Sequence, residues 1–331
     1  MNLSRYFAML SCVATLAASL VACGPSSGPN ISTASPAPAP QTPPQPEKKV
    51  IALVMKTLTN PFFVEMEKGA RRAESDFGIT LRVKTAAQET SIEQQIQLVE
   101  DMIAAKVDAI VIAPGDSQRL IPTLRKAADA GIKIVNIDNR LDPKALADSG
   151  LPPIPFVSVD NQAGAYKAGQ FLAQGVHAPT EAAILEGIRS ADNARERMQG
   201  ARKALQENTQ VKIVAAEAAN WEIDTAYRVT RGIFKNHPRV KLLFASNDMM
   251  AIGAVKYLQE AHLSDVRVAG YDALPEALQE INAHRMVATV DQQAAEQGYQ
   301  GVALALRLLR GDTVPVVTLI DTKLISAKAG T

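Results

Sequence analysis

The residues able to do chemistry gather at one kind of place, the end of a short aliphatic run. Val50–Met55 leads into Lys56-Thr57-Leu58-Thr59-Asn60-Pro61-Phe62-Phe63, and Lys133–Ile137 into Asp138-Asn139-Arg140. Later runs lead into Arg195-Glu196-Arg197, Asn220-Trp221, Asn247-Asp248, Tyr271-Asp272 and Asp291-Gln292. Amides, carboxylates, a guanidinium cluster and aromatics suit a neutral, polyhydroxylated ligand. A hydroxyl donates once and accepts twice, so carboxylates take its proton while amides and arginine feed its lone pairs. Aromatic faces cover the apolar C–H side of such a molecule. The sequence holds no GxSxG turn, GxGxxG fingerprint or Walker loop. Its 4 histidines lack HxxxH or HExxH spacing, which argues against a zinc hydrolase. Both cysteines, Cys12 and Cys23, lie near the start, so neither a disulfide framework nor a thiolate metal site is expected beyond them. No catalytic residue, metal or cofactor is assigned. A net charge of +1 from 35 basic and 34 acidic side chains speaks against a nucleic-acid partner.

The elements that must position these residues follow a strand–helix beat. Strands are expected at Val50–Met55, Thr80–Lys84, Ala109–Ile112, Lys133–Ile137 and Phe156–Val159. A second five are expected at Ala182–Glu186, Val211–Ala215, Leu242–Ser246, Val266–Gly270 and Ala288–Val290. The segments between them carry helical periodicity. Ser91 with Gln94 forms a capping box, and Ile92, Ile96, Val99 and Ile103 share one face. Strands alternating with helices make parallel sheets covered on both faces. Two series of five predict an α/β chain of two doubly wound lobes, with an eight-stranded barrel as the runner-up. In such sheets ligands bind at the carboxyl ends of strands, where the polar set lies.

Residues 1–22 have Arg5 followed by an apolar stretch that is short for a span, and they read as an export signal. Leu20-Val21-Ala22-Cys23 resembles a bacterial lipobox, which predicts acyl chains on Cys23 and membrane anchoring outside the cytoplasm. Eight of the 19 prolines fall within residues 24–47, a semi-rigid tether. The folded part is expected from Lys48.

KTLTNPFF (56–63), the IDN and ARER segments, FASNDMMAIGA, VAGYDALPE and ATVDQQ together resemble the ribose-type periplasmic sugar-binding proteins of ABC transporters. The resemblance runs in order over residues 49–326. It implies the type I periplasmic binding protein fold, two lobes on a three-crossing hinge, with a monosaccharide in the cleft. It places the first lobe at 48–159 plus 293–318 and the second at 160–292 plus 319–331. The pocket positions it carries over are Lys56, Asn60, Phe62, Phe63, Asp138, Asn139, Arg197, Trp221, Asn247, Asp272 and Gln292.

Several of these have plainer readings beside the ligand role. Adjacent Phe62 and Phe63 cannot both face one core, so at least one belongs in the cleft. Asn60 is also a good cap before Pro61. Asp138 and Asp272 could be ordinary caps, but they recur at equivalent strand ends. Of Arg195 and Arg197, one braces the loop by an ion pair, and the family assigns the second to sugar. Trp221 is a stacking platform or core. Asn247 and Gln292 rest on the resemblance. Asp248 reads as a helix cap, Met249-Met250 as core, and Asp116 and Asp160 as structural or hinge residues.

Two departures bear on the ligand. Asp138-Asn139 stands where ribose-type members have Asp-Arg, with Arg140 one place late. Lys56 replaces a small hydroxyl residue, as in allose and allulose binders. Allulose or allose is therefore expected ahead of ribose. The implied partner is an ABC permease, and the chain is expected to be a monomer. A sensor presenting sugar to a chemoreceptor or histidine kinase, or a binder of a furanose-like signal, would share this sequence. A repressor would need a DNA-binding N-terminus, which residues 1–47 do not supply. A sugar-processing enzyme could use Asp138 and Asp272 as acid and base, but the family implies binding only.

Overall fold

The aliphatic runs pair into two open sheets in a computed structural model that describes residues 48–327. The expected export signal, Cys23 and proline tether lie outside those residues. The first series is β1 (Val50–Met55), α1 (Pro61–Phe77), β2 (Thr80–Thr85), α2 (Ile92–Ala104), β3 (Ala109–Ile112), α3 (Ile121–Asp129), β4 (Lys133–Ile137), α4 (Pro143–Asp148) and β5 (Phe156–Val159). The second is α5 (Asn161–Ala173), β6 (Thr180–Glu186), α6 (Asp192–Glu207), β7 (Val211–Ala218), α7 (Ile223–Asn236), β8 (Val240–Ala245), α8 (Asp248–Glu260), β9 (Arg267–Ala269), α9 (Pro275–Asn282) and β10 (Ala288–Asp291). The chain closes with α10 (Ala294–Leu309), β11 (Val317–Ile320) and β12 (Lys323–Ser326).

The first sheet has the order β11-β5-β4-β3-β1-β2, parallel throughout. The second runs β12-β10-β9-β8-β6-β7 and is parallel except for β12 against β10. Leaving out β11 and β12, both carry the doubly wound order in which the strand sequence reverses beside the first strand of each series. Two open sheets dispose of the barrel alternative. Central strands are buried on both faces, as covered parallel sheets require, which is why β1, β3 and β4 read as nearly unbroken aliphatic runs.

Three crossovers join the sheets. After β5 the chain enters α5, which packs on α6 and on β8 to β10. After β10 it returns to the first sheet, where α10 lies on α1, β3 and β4. Helices α1 and α10 meet closely through glycine. A Cβ on Gly69 would sit 1.7 Å from Ala295 O, and one on Gly298 would sit 2.1 Å from Met66 O. The third crossover is the turn between β11 and β12. Leu319 and Ile320, expected in the second lobe, belong to β11, because its register against β5 continues through Ile320↔Val159.

Two capping expectations change. Ser91 makes no side-chain cap at α2, and Gln94 Oε1 instead accepts from Ala87 N at 2.8 Å. At α8 the cap is Asn247, whose Oδ1 accepts from Met250 N, and Asp248 is the first helical residue. Asp160 does cap α5, accepting from Ala163 N, and Met250 is core.

Candidate functional site

The strand ends of the two sheets face each other across a narrow cleft with a cavity volume of about 20 Å3. That is room for about one water, which needs roughly 10–15 Å3 by the same measure, so the lobes stand close together over the site. The lining comprises Lys56, Asn60, Phe62, Phe63, Glu89 and Asp138 from the first half, and Asn193, Arg197, Trp221, Asn247, Asp272 and Gln292 from the second. A larger surface hollow of about 510 Å3 lies by the ends of α8 and α9, lined by Leu258, His262 and His284 among others. None of the strand-end polar residues reaches it. Convergent polar groups in a concave site, rather than volume, mark the cleft as the candidate.

On the first side, Asn60 does two jobs. Its Oδ1 caps α1 by accepting from Phe62 N at 3.0 Å, and its Nδ2 donates to Glu89 Oε1 at 2.9 Å. Phe62 and Phe63 both line the cleft, edge to face with centroids 5.1 Å apart. The Lys56 ammonium lies 2.9 Å from Asp138 Oδ2 and 3.9 Å from Glu89 Oε2. It also sits 5.4 Å from the Phe63 centroid and, across the cleft, 6.0 Å from that of Trp221. Burial pushes the Glu89 carboxyl up, partly opposed by Lys56 and by the Asn60 amide.

On the second side, Arg197 uses its whole fork. It donates to Asn161 Oδ1 at 2.8 Å, Ser246 O at 3.0 Å and Gln292 Oε1 at 3.0 Å, and lies 3.5 Å from Asp272 Oδ1. Its guanidinium stacks 4.0 Å from the Tyr271 centroid. Gln292 in turn donates to Asp272 Oδ1 at 2.6 Å. Burial holds the Asp272 carboxyl well above the usual range, against the pull of Arg197. Arg195 stays outside the cleft, paired with Asp192 at 2.8 Å. Trp221 rests on Gly187, where a Cβ would meet its Cζ2 at 2.0 Å. Only glycine fits there.

Backbone strain concentrates here. Asp138 (φ 62°), Trp221 (φ 71°), Asp272 (φ 125°) and Gln293 (φ 53°) all take left-handed or neighbouring conformations. Non-glycine residues adopt these at a cost of roughly 1–3 kcal/mol each, and they collect at binding sites. The strain turns Asp138 and Asp272 inward instead of into caps.

Ten of the eleven residues expected in the pocket line the cleft, and Asn139 does not. Its amide is consumed by Pro114 O at 3.0 Å, and its Oδ1 accepts from Asn193 N at 3.2 Å. Arg140 also points elsewhere, 5.5 Å over the Phe156 ring. Sequence reasoning missed Glu89 and Asn193. Glu89 lies in the β2–α2 loop without a pattern to mark it. Asn193 is the second residue of α6, within the IRSADNARER segment, four residues before Arg197 and on the helix face that carries Arg197.

A profile described as a periplasmic binding protein domain matches residues 51–313. The chain belongs to the periplasmic binding protein family. Among its relatives is the D-ribose/D-allose-binding protein of Pseudomonas aeruginosa, 41% identical over 271 residues and covering 81% of this chain and 84% of that one. The D-allose-binding periplasmic protein of Escherichia coli is 31% identical over 283 residues, covering 83% and 91%. An ABC transporter periplasmic solute-binding protein from Actinobacillus succinogenes, solved with bound D-allose, superposes with a TM-score of 0.80 at 41% identity, over 85% of this chain and 98% of that one. Among the described residues, no helix is long and apolar enough to cross a membrane, and no group of three or more His, Cys, Asp or Glu could hold a metal.

Proposed function

We propose that this chain captures a monosaccharide between its two lobes and presents it to the permease of an ABC sugar importer. The observation that carries this reading is the convergence of twelve lining residues from both sheets on one small cavity. Two of them hold buried polar atoms with no protein partner, the acceptor Asn193 Oδ1 and the donor Trp221 Nε1. A buried unpaired polar atom costs about 1–3 kcal/mol, and a hydroxylated ligand would supply both partners. Phe62, Phe63 and Trp221 would cover the ring's C–H surfaces, while Asp138 and Asp272 accept hydroxyl protons from opposite sides.

D-Allose is the first candidate, ahead of ribose and allulose. Lys56, Asp138 and Glu89 form a charged corner that can hydrogen-bond hydroxyl groups in one arrangement and leaves buried groups unpaired with another epimer. The relatives named for allose support the same choice. The site binds without turning over. Lys56 and Arg197 stand beside Asp138 and Asp272 on opposite sides of the cleft, and the relatives the chain resembles are named for binding sugars. The first lobe comprises β1 to β5 with α10 and β11, the second α5 to β10 with β12. Hinge closure over sugar brings their hydrogen bonds together and expels water. Lipid on Cys23 and the proline tether would hold this unit at a membrane facing the periplasm or cell exterior.

A thermal-shift panel of pentoses, hexoses, ketoses and inositols tests the proposal. A ligand at 100 times its Kd adds about 2.7 kcal/mol, which for a unit of this size raises Tm by roughly 5 °C. A shift confined to D-allose and its near epimers is expected. A flat response in folded, sugar-free protein would sink the reading.

A further inference from the structure

Helix α6 begins without a cap of its own. Its N-cap residue is Ala191, and no side chain of its lead-in accepts from the first turn. Helices α1, α5 and α8 are capped locally by Asn60, Asp160 and Asn247. The opening N–H groups of a helix lack intrahelical acceptors and need partners. For α6 those partners come from the opposite lobe. Asp192 N donates to Ser117 Oγ at 3.0 Å, and Asn193 N donates to Asn139 Oδ1 at 3.2 Å. Ser117 follows β3 and Asn139 follows β4; both are buried. The same seam carries Ser117 N to Ser190 O at 3.3 Å and Asn193 Nδ2 to Asp138 Oδ1 at 3.4 Å. The first-lobe acceptors are already set, because Asn139 Nδ2 is tied to Pro114 O. This is also why Asn139 is buried at the cleft without lining it.

We propose that Ser117 and Asn139 are a closure latch, supplying in trans a helix cap that exists only while the lobes are shut. The inference rests on the reading of the chain as a two-lobe sugar binder and goes beyond it. A contact made in the closed state and absent in the open one shifts that equilibrium by its differential free energy. Apparent affinity then scales with the closed fraction. Two residues that touch no ligand thereby set how tightly the protein holds it. When the lobes part, the two N–H groups and the two side-chain oxygens return to water, so each bond contributes modestly.

The test compares the full chain with Ser117→Ala, Asn139→Ala and the double variant. Ser117→Ala is the decisive one, since Asn139 also holds the 114–117 turn. D-Allose affinity is expected to fall about three- to tenfold in Ser117→Ala, tenfold corresponding to about 1.4 kcal/mol. The loss should appear as faster dissociation, with the tryptophan fluorescence at saturation unchanged. Amide hydrogen exchange at Asp192 and Asn193 should speed up in the sugar-bound variants relative to the sugar-bound wild type, while Ala163 at the locally capped start of α5 stays as in the wild type. Wild-type affinity and wild-type exchange in Ser117→Ala together overturn the latch. If no sugar binds the wild type, the capture reading fails, and small-angle scattering of the sugar-free chains decides the latch: a larger radius in Ser117→Ala than in the wild type keeps it, and equal radii overturn it.

Discussion

Replacing Asp248 by Asn should change how stability depends on pH more than it changes stability at any single pH. Asp248 is fully buried at the start of α8, beneath the loop that carries Asp272. Its carboxylate accepts from Thr289 Oγ1 at 2.7 Å and from Leu274 N at 2.8 Å. Desolvation outweighs those bonds and lifts its pKa from the usual 3.8 to about 6. Between those values the folded chain keeps a proton that the unfolded chain has lost. The group's contribution is therefore greatest below pH 4, falls as pH rises toward 6, and stays low above it. About two pH units at 1.36 kcal/mol each amount to about 3 kcal/mol. Asn does not titrate, so it removes this group's own pH dependence and, by taking away its charge, also lowers the pKa of the neighbouring Asp272 carboxyl. Urea unfolding of both proteins from pH 4 to 7.5 measures the effect. The wild-type stability minus that of the variant should drop by at least about 2 kcal/mol across the window, since pH 4 already lies just above the unfolded value. A difference that stays flat refutes the claim that burial dominates at this carboxylate.

Two further outcomes follow from the cleft. Gly187→Ala places a Cβ against the Trp221 indole and should weaken sugar binding by about tenfold or more. Fluorescence titration reads this directly, because Trp221 is the only tryptophan; an unchanged affinity would remove Trp221 from the pocket wall. Lys56→Met leaves the buried Asp138 and Glu89 without their cation and should cost about 3–5 kcal/mol of stability at pH 7. With its opposing influence gone, Glu89 rises further, so part of that loss should return as pH falls toward 5. Denaturant unfolding at the two pH values checks it.

The sequence announced what repeats and hid what does not. Aliphatic runs of β-branched residues ending in polar clusters located all ten strands of the two series, because burial on both faces leaves a compositional trace. The polar residues directly after those strands were legible for the same reason: Lys56, Asp138, Asn247 and Asp272 inherit their place from the strand before them. Glu89 was not, since it sits in a loop and is turned to the cleft wall by its contacts with Asn60 and Lys56. Asn139 misled because adjacency to Asp138 says nothing of side-chain direction once Asp138 takes a positive φ. The caps at Ser91 and Asp248 failed because nearby acceptors compete. Asn247 already holds the first turn of α8, and Gln94 finds Ala87. The strands β11 and β12, short and partly exposed, carry too little burial to stand out before the fold pairs them.

Titration calorimetry of the full chain with D-allose, beside Asp272→Asn, tests the central claim most directly. The account predicts one site per chain with micromolar or tighter affinity, and at least a tenfold loss in the variant while its fold persists. A folded wild-type chain that gives no binding heat with D-allose, ribose or allulose at several temperatures would contradict it.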